Sequence, residues 1–408
     1  MDDIAIVGSG IAGLQLALLL QRHNVPVTLY SDRSPDQFRT SRLPNTVARF
    51  EPTRARERAL GVEHWDRPDL GTYSVHFRIN GTPIAFCGHL SQPASFVDMR
   101  LYQAALLEDF AGRGGRVVLG AVTVGDLGRL AVGHPLIVVA SGRGRLADIF
   151  PPRPEHSPYT QPQRRLLAGF FHGITPLEPF SLAFTISPGH GEIFNATFYS
   201  SEGLISNLLI EAIPGGGLEP FTRLRYEDDP QRFNTTILTM LREHAPSVYE
   251  RVEPGQFGLT RPLDLHKGAI TPIVRRGYIP LEAGRYAIAI GDAHIQNDPV
   301  LGQGANAASH AAWVLGEAIL AGDPFDEAFC RRVEEKIWDY TRHVTEWTNA
   351  SLQPPPPHAV AVFAAAAQNQ AVADELVDNF AAPARNWAIF GSPEGATAFL
   401  ARFGHPVP

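Results

Sequence analysis

Apolar residues fill positions 4–7, the short continuous run of a strand buried on both faces, and then recur at helical spacing through Leu14, Ala17, Leu18 and Leu20. A second apolar run occupies 25–30, further strands are predicted at 117–119 and 136–140, and another buried strand at 285–290. Helical spacing covers 96–110 and 230–244. Residues 75–79 alternate apolar and polar up to Asn80-Gly81, and 83–87 return, which predicts a hairpin. Between 166 and 210, four short runs (166–171, 181–187, 193–198 and 205–210) separated by Gly- and Pro-rich turns predict an antiparallel sheet. Residues 34–50, with Pro35 and Pro44, cannot form a long helix and read as a loop. The proline-dense 151–162 marks the crossing into a middle domain, and 324–408 read as helical, broken at 354–357.

The junction of the first strand and helix is Gly8-x-Gly10-x-x-Gly13. Gly8 permits a tight turn, Gly10 admits a pyrophosphate close to backbone, and Gly13 lets helix and strand pack. Ser9, Ile11 and Ala12 complete a candidate phosphate cradle at the helix start. Asp32 follows Gly8 by 24 residues, near the offset at which an acid meets an adenosine ribose; Ser31 competes for that role and Arg33 adjoins it. The strand at 136–140 ends in Ala140-Ser141-Gly142, small enough for close backbone approach to a cofactor. A second informative stretch runs Gly291-Asp292, then Asp298-Pro299-Val300-Leu301-Gly302-Gln303-Gly304-Ala305-Asn306. Its carboxylate suits a polyol hydroxyl, and its glycine turn opens a helix whose N–H groups suit an electron-rich ring edge.

Composition narrows the possibilities. A net charge of −7 over 408 residues argues against a general nucleic-acid binder. Arg54, Arg56 and Arg58, the nearest approach to a basic cluster, read as a solvated helix face. Cys87 and Cys330 alone give neither metal spacing nor a disulfide framework, so no metal is expected and a cytoplasmic location fits. Asp2 and Asp3 before a glycine-split apolar run do not make a signal peptide, and no apolar stretch approaches a membrane span.

Taken together, Gly8-x-Gly10-x-x-Gly13, Arg100 opening a helix, Gly291-Asp292 and Pro299 with Gly302-Gln303-Gly304 resemble the FAD-binding aromatic monooxygenases. Asp32-Arg33, 42–48, 100–103, 187–192, 298–306, 378–380 and 392–394 narrow the resemblance to the FAD component of styrene and indole monooxygenases. The resemblance implies an α/β fold with a Rossmann-like FAD-binding domain (1–72, 95–150 and 270–323), an antiparallel-sheet substrate domain (73–94 and 151–269) and a helical C-terminal region. It also implies a two-component enzyme. A separate NADH-dependent reductase supplies FADH2, and a flavin C4a-hydroperoxide formed with O2 epoxidises a small aromatic alkene or indole, or oxidises a sulfide. A homodimer is implied, with no nucleic acid and no membrane.

By the same resemblance, Asp292 holds the FAD ribitol, Arg100 the pyrophosphate region, and Arg42 and Asn45 the flavin's surroundings. Val122, Ser141, Gly142 and Gly291 join the cofactor site; Asn45, Pro299, Gly302 and Gln303 stand at the reaction centre; Gly304, Ala305 and Asn306 meet the ring. Val47, Arg49, Thr72, Val75 and Ala94 are expected to line the substrate pocket. Styrene members of the family carry histidine where Arg49 stands, tyrosine where Thr72 stands and histidine where Val75 stands. Asn45 and Val47 match the styrene branch, Val75 and Ala94 the indole branch, and Arg49 and Thr72 neither. His190, His294 and His310 read as structural or surface residues. Two alternatives stay open: a single-component hydroxylase that oxidises NAD(P)H itself, and a flavin-binding carrier or sensor without oxygenase chemistry. No second Gly-x-Gly-x-x-Gly is present, and Arg143-Gly144-Arg145 stands where single-component hydroxylases carry Asp-Gly, which fits the two-component reading.

Overall fold

The computed structural model describes residues 3–404; Asp2, and the last four residues of the predicted helical tail, lie outside the described residues. The strand Ile4–Val7 is wholly buried, as its apolar run requires, and pairs in parallel with Val27–Ser31 on one side and Leu136–Val139 on the other. Arg116–Leu119 and Tyr286–Ala289 extend this parallel sheet, and Tyr278–Pro280 closes one edge antiparallel. The helix Ile11–Arg22 packs on the sheet and against the helix Gly304–Leu320, so the two glycine-rich stretches of the sequence meet.

A nine-stranded sheet stands beside it. Arg165–His172, Gly203–Ala212, Gly191–Ser200 and Ser181–Ser187 are antiparallel neighbours, and the Gly71–Ile79 strand of the hairpin joins parallel to Ser181–Ser187, with Ser74 opposite Ser181. The predicted hairpin therefore shares a sheet with the middle strands. The C-terminal helices cover it, with Gln370–Asp378 lying along Ala85–Phe96.

Two expectations shift for local reasons. The predicted 96–110 helix starts at Met99 because the Asp98 side chain caps it, accepting from the Arg100 N–H. The predicted loop at 34–50 contains the short helix Pro35–Arg39, fixed by reciprocal hydrogen bonds between Ser34 and Gln37. One expectation is corrected. The helix Glu51–Leu60 does not present its arginines to solvent as a row: Arg54 is buried against Asp66 and the Pro93 carbonyl, Arg56 reaches Ser309 and His310, and only Arg58 is exposed.

Candidate functional site: a cavity between two uncapped helix starts

One cavity of about 1030 Å³ runs from the first strand–helix turn across to the nine-stranded sheet. Its phosphate-side wall is built by backbone. Gly8 sits at φ +115°, and a Cβ there would lie 2.4 Å from the Ala140 carbonyl oxygen; one on Gly13 would lie 1.9 Å from the Gly8 carbonyl oxygen. Only glycine permits this approach of helix to strand. The helix Ile11–Arg22 begins at Gly10 with no side-chain cap and no acid in its first turn, leaving its N–H groups directed to the cavity. The helix Gly304–Leu320 begins in the same way at Gln303, and Gly302, Gly304 and Ala305 line the same space. Two positive helix ends facing one long cavity suit a ligand carrying phosphates at one end and an anionic ring edge at the other.

Of the residues expected at the cofactor, Gly8, Ser9, Gly10, Ile11, Ala12, Asp32, Arg33, Asn45, Val122, Ser141, Gly142, Gly291, Asp292, Pro299, Gly302, Gly304 and Ala305 are brought together on this wall, and Val47 joins them. Ser31 stands behind: its hydroxyl lies 2.7 Å from that of Ser9 and donates to the Arg33 carbonyl, while Asp32 reaches the cavity. Burial raises the pKa of Asp292, and Arg143 and Arg275 pull it back.

Other expected residues support the wall without forming it. Arg100 is forked by Asp98 and by Asp264, 2.7 Å away, and all three are buried, so its guanidinium is committed to protein carboxylates instead of a pyrophosphate. Arg42 donates to the carbonyls of Pro262 and Leu265 and pairs with Glu227, tying its loop to the far segment. Asn306 accepts from the Phe50 N–H and the Thr53 hydroxyl and donates to the Ala48 and Gly302 carbonyls, which fixes the ring-side turn. Gln303, buried, donates to the Phe380 carbonyl.

Apart from Val47, the expected substrate residues stand away from the cavity. Arg49 is off the cavity wall, in a buried network: it donates to both Glu57 oxygens and to the Ser95 hydroxyl at 2.7 Å, and lies over the Tyr102 ring. Burial works against its charge, but Glu57 and its neighbours hold the pKa above the ordinary value. Thr72 and Ala94 are buried cross-strand partners, and Val75 belongs to the apolar core.

The far half of the cavity is instead walled by Leu182 and Phe184, by Phe194, Ala196 and Phe198, and by Asn207 and Leu209, each set alternating along one strand, with Phe50, Phe96 and Phe380 opposite. Alternation was the available signal, but these strands are buried on nearly every position, so the sequence pattern does not tell cavity face from core face. Gln103, which donates to the Ser9 carbonyl, also lines the cavity and was not anticipated. Among the described residues no group of three His, Cys, Asp or Glu could hold a metal, and no helix is long and apolar enough to cross a membrane.

The fold is that of the flavin-dependent monooxygenases and halogenases. A solved flavin-dependent brominase, Bmp2, superposes with a TM-score of 0.68 at 15% identity, covering 99% of this chain and 98% of its own. The family model described as "Styrene monooxygenase A putative substrate binding domain" matches residues 142–251. Styrene monooxygenase StyA of Pseudomonas fluorescens is 40% identical over 396 residues, 96% of this chain and 95% of that protein, and StyA of a Pseudomonas sp. is 39% identical over 99% of both. The chain belongs to the styrene monooxygenase family of FAD-dependent monooxygenases.

Proposed function

We propose that this protein inserts one oxygen atom of O2 into a small, apolar aromatic alkene, indole or sulfide, using FAD that a separate NADH-dependent reductase has reduced. The observation that carries this reading is the division of one cavity into a dinucleotide half of glycine backbone and helix ends and an adjoining half of aromatic and aliphatic side chains. The donor set fits FAD: free N–H groups at Gly10–Ala12 for the pyrophosphate, Asp32 for the ribose, Asp292 for the ribitol, and the Gly304–Ala305 backbone for the ring. When bound and reduced, FAD supplies the electrophilic oxygen together with O2.

The chain's own contribution is shape and dryness. Val47 and Pro299 line the same cavity as Phe184, Phe194 and Phe198, whose rings exclude water and orient an aromatic substrate. No triad, metal or strong acid is needed for this role. A homodimer working in the cytoplasm, where NADH is available to the reductase, completes the proposal.

The test is to follow NADH in three mixtures: protein with FAD, protein with FAD and an unrelated flavin reductase, and the same with styrene, indole or thioanisole. Oxygenated product only when the reductase is present supports the reading. Substrate-accelerated NADH oxidation without reductase would instead support a single-component hydroxylase, and uncoupled oxidation with no product from any substrate would support a carrier.

A further inference from the structure

The cavity face of the nine-stranded sheet ends in charge. Along Gly203–Ala212, Asn207 and Leu209 line the cavity, and Glu211 is the next residue on that face. Along Gly191–Ser200 the same face carries Phe194 and then Glu192, which lies directly opposite Glu211. Arg164 grips Glu192 with Nε to Oε2 at 2.7 Å and Nη2 to Oε1 at 2.9 Å, so the one cation of the group is already matched.

Glu211 is left facing Asp298, at the start of the turn that carries Pro299 and Gly302 along the cavity wall. Asp298 Oδ1 accepts from the Val300 N–H at 3.2 Å and caps that turn. No N–H or hydroxyl among the described residues donates to Asp298 Oδ2 or to either carboxyl oxygen of Glu211, although all three are buried. Buried as neighbours with three oxygens that nothing donates to, the two carboxyls cannot both ionise without a large cost, and a proton shared between them satisfies the orphaned oxygens.

We infer that Glu211 is a positioning residue: the proton it shares with Asp298 latches the turn over residues 298–302 to the end of the sheet and holds the wall of the cavity beside the flavin ring. Burial pushes Glu211 well above the ordinary carboxylate range and the Asp298 carboxyl pushes it further, so Glu211 is the donor; burial also raises Asp298, but the Glu211 hydrogen bond and the Val300 N–H pull it back. The charged groups that face the pair are Arg164 and Glu192. Loss of the proton at alkaline pH leaves two adjacent carboxylates with no free cation between them and releases the turn.

This inference rests on the flavin reading of the cavity, and the experiment separates the two. FAD affinity, by flavin fluorescence, is measured from about pH 6 to about pH 10 for the wild type and for Glu211→Gln, which keeps a donor but cannot titrate. The wild type is expected to lose affinity by about tenfold or more on the alkaline side, and the variant to stay flat at the low-pH level. Identical pH profiles would overturn the latch. If the wild type binds no FAD at any pH, the flavin reading fails, and difference infrared spectroscopy still decides the latch. A protonated-carboxyl band that disappears both at alkaline pH and in Glu211→Gln supports it, and the lack of such a band overturns it.

Discussion

Arg49 Nη1 donates to both carboxylate oxygens of Glu57, at 2.7 and 2.8 Å, and neither side chain is more than 5% exposed. Tyr102 donates to the same carboxylate and in turn accepts from Gln15, so the pair is the centre of a buried polar network. Removing Arg49 leaves the Glu57 charge buried with the Tyr102 hydroxyl as donor but no cation beside it. Arg49→Met is therefore expected to cost about 3–5 kcal/mol in urea unfolding, with most of it recovered in Arg49→Met/Glu57→Leu. Because Arg49 is off the cavity wall, the kcat/KM ratio for a neutral against a carboxylate-bearing aromatic alkene is expected to stay within about twofold. A marked shift toward the neutral alkene in the single variant would place Arg49 in the substrate site.

Gly10 and Gly13 belong to one motif but do different things. A Cβ on Gly13 would collide with Gly8 backbone, whereas one on Gly10 meets nothing nearer than the Ala140 oxygen at 3.9 Å, in space that opens to the cavity. Gly10→Ala is expected to keep thermal stability to within about 1 kcal/mol while weakening FAD binding about tenfold or more. Gly13→Ala is expected to lower stability by more than that. Calorimetry and flavin titration of the two variants separate the roles, and equal losses of stability would contradict the division.

His294 is buried with neither ring nitrogen hydrogen-bonded. Burial, followed by Arg153 and Arg275, depresses its pKa from 6.5 to about 3. The unfolded chain therefore takes the proton first on acidification, so the stability from the neutral ring is complete above the unfolded pKa and is lost as the pH falls toward about 3. Between about pH 7 and about pH 5, His294→Gln is expected to lose about 2 kcal/mol less stability than the wild type. Parallel stability curves for the two proteins would show that His294 is not held neutral.

Much of the phosphate-side wall was legible in the sequence because glycine is read there through backbone chemistry: Gly8, Gly13 and Gly302 sit where their lack of a side chain is required. The arginines were less legible. Arg49 and Arg100 carry the chemistry of anion ligands, but their partners Glu57 and Asp264 are brought to them by folding across the chain, and no spacing announces that they are already paired. The substrate wall was least legible, since strands buried on both faces lack the alternation that would mark one face as cavity.

Ala196 lies between Phe194 and Phe198 on the cavity wall and is the smallest of the three side chains. Ala196→Leu is expected to reduce kcat/KM for bicyclic indole at least about tenfold more than for styrene, with FAD binding unchanged. Equal losses for both substrates would move the specificity wall elsewhere.

The proposed passage of oxygen from O2 to an aromatic substrate, on flavin reduced by another protein, is tested most directly by isotope labelling. The protein, FAD, an unrelated flavin reductase, NADH and styrene are incubated under 18O2, and the product is analysed by mass spectrometry. One labelled oxygen atom per molecule of styrene oxide, formed only with the reductase present, is the expected result. Unlabelled product, or product formed at the same rate from NADH without a reductase, would contradict the account.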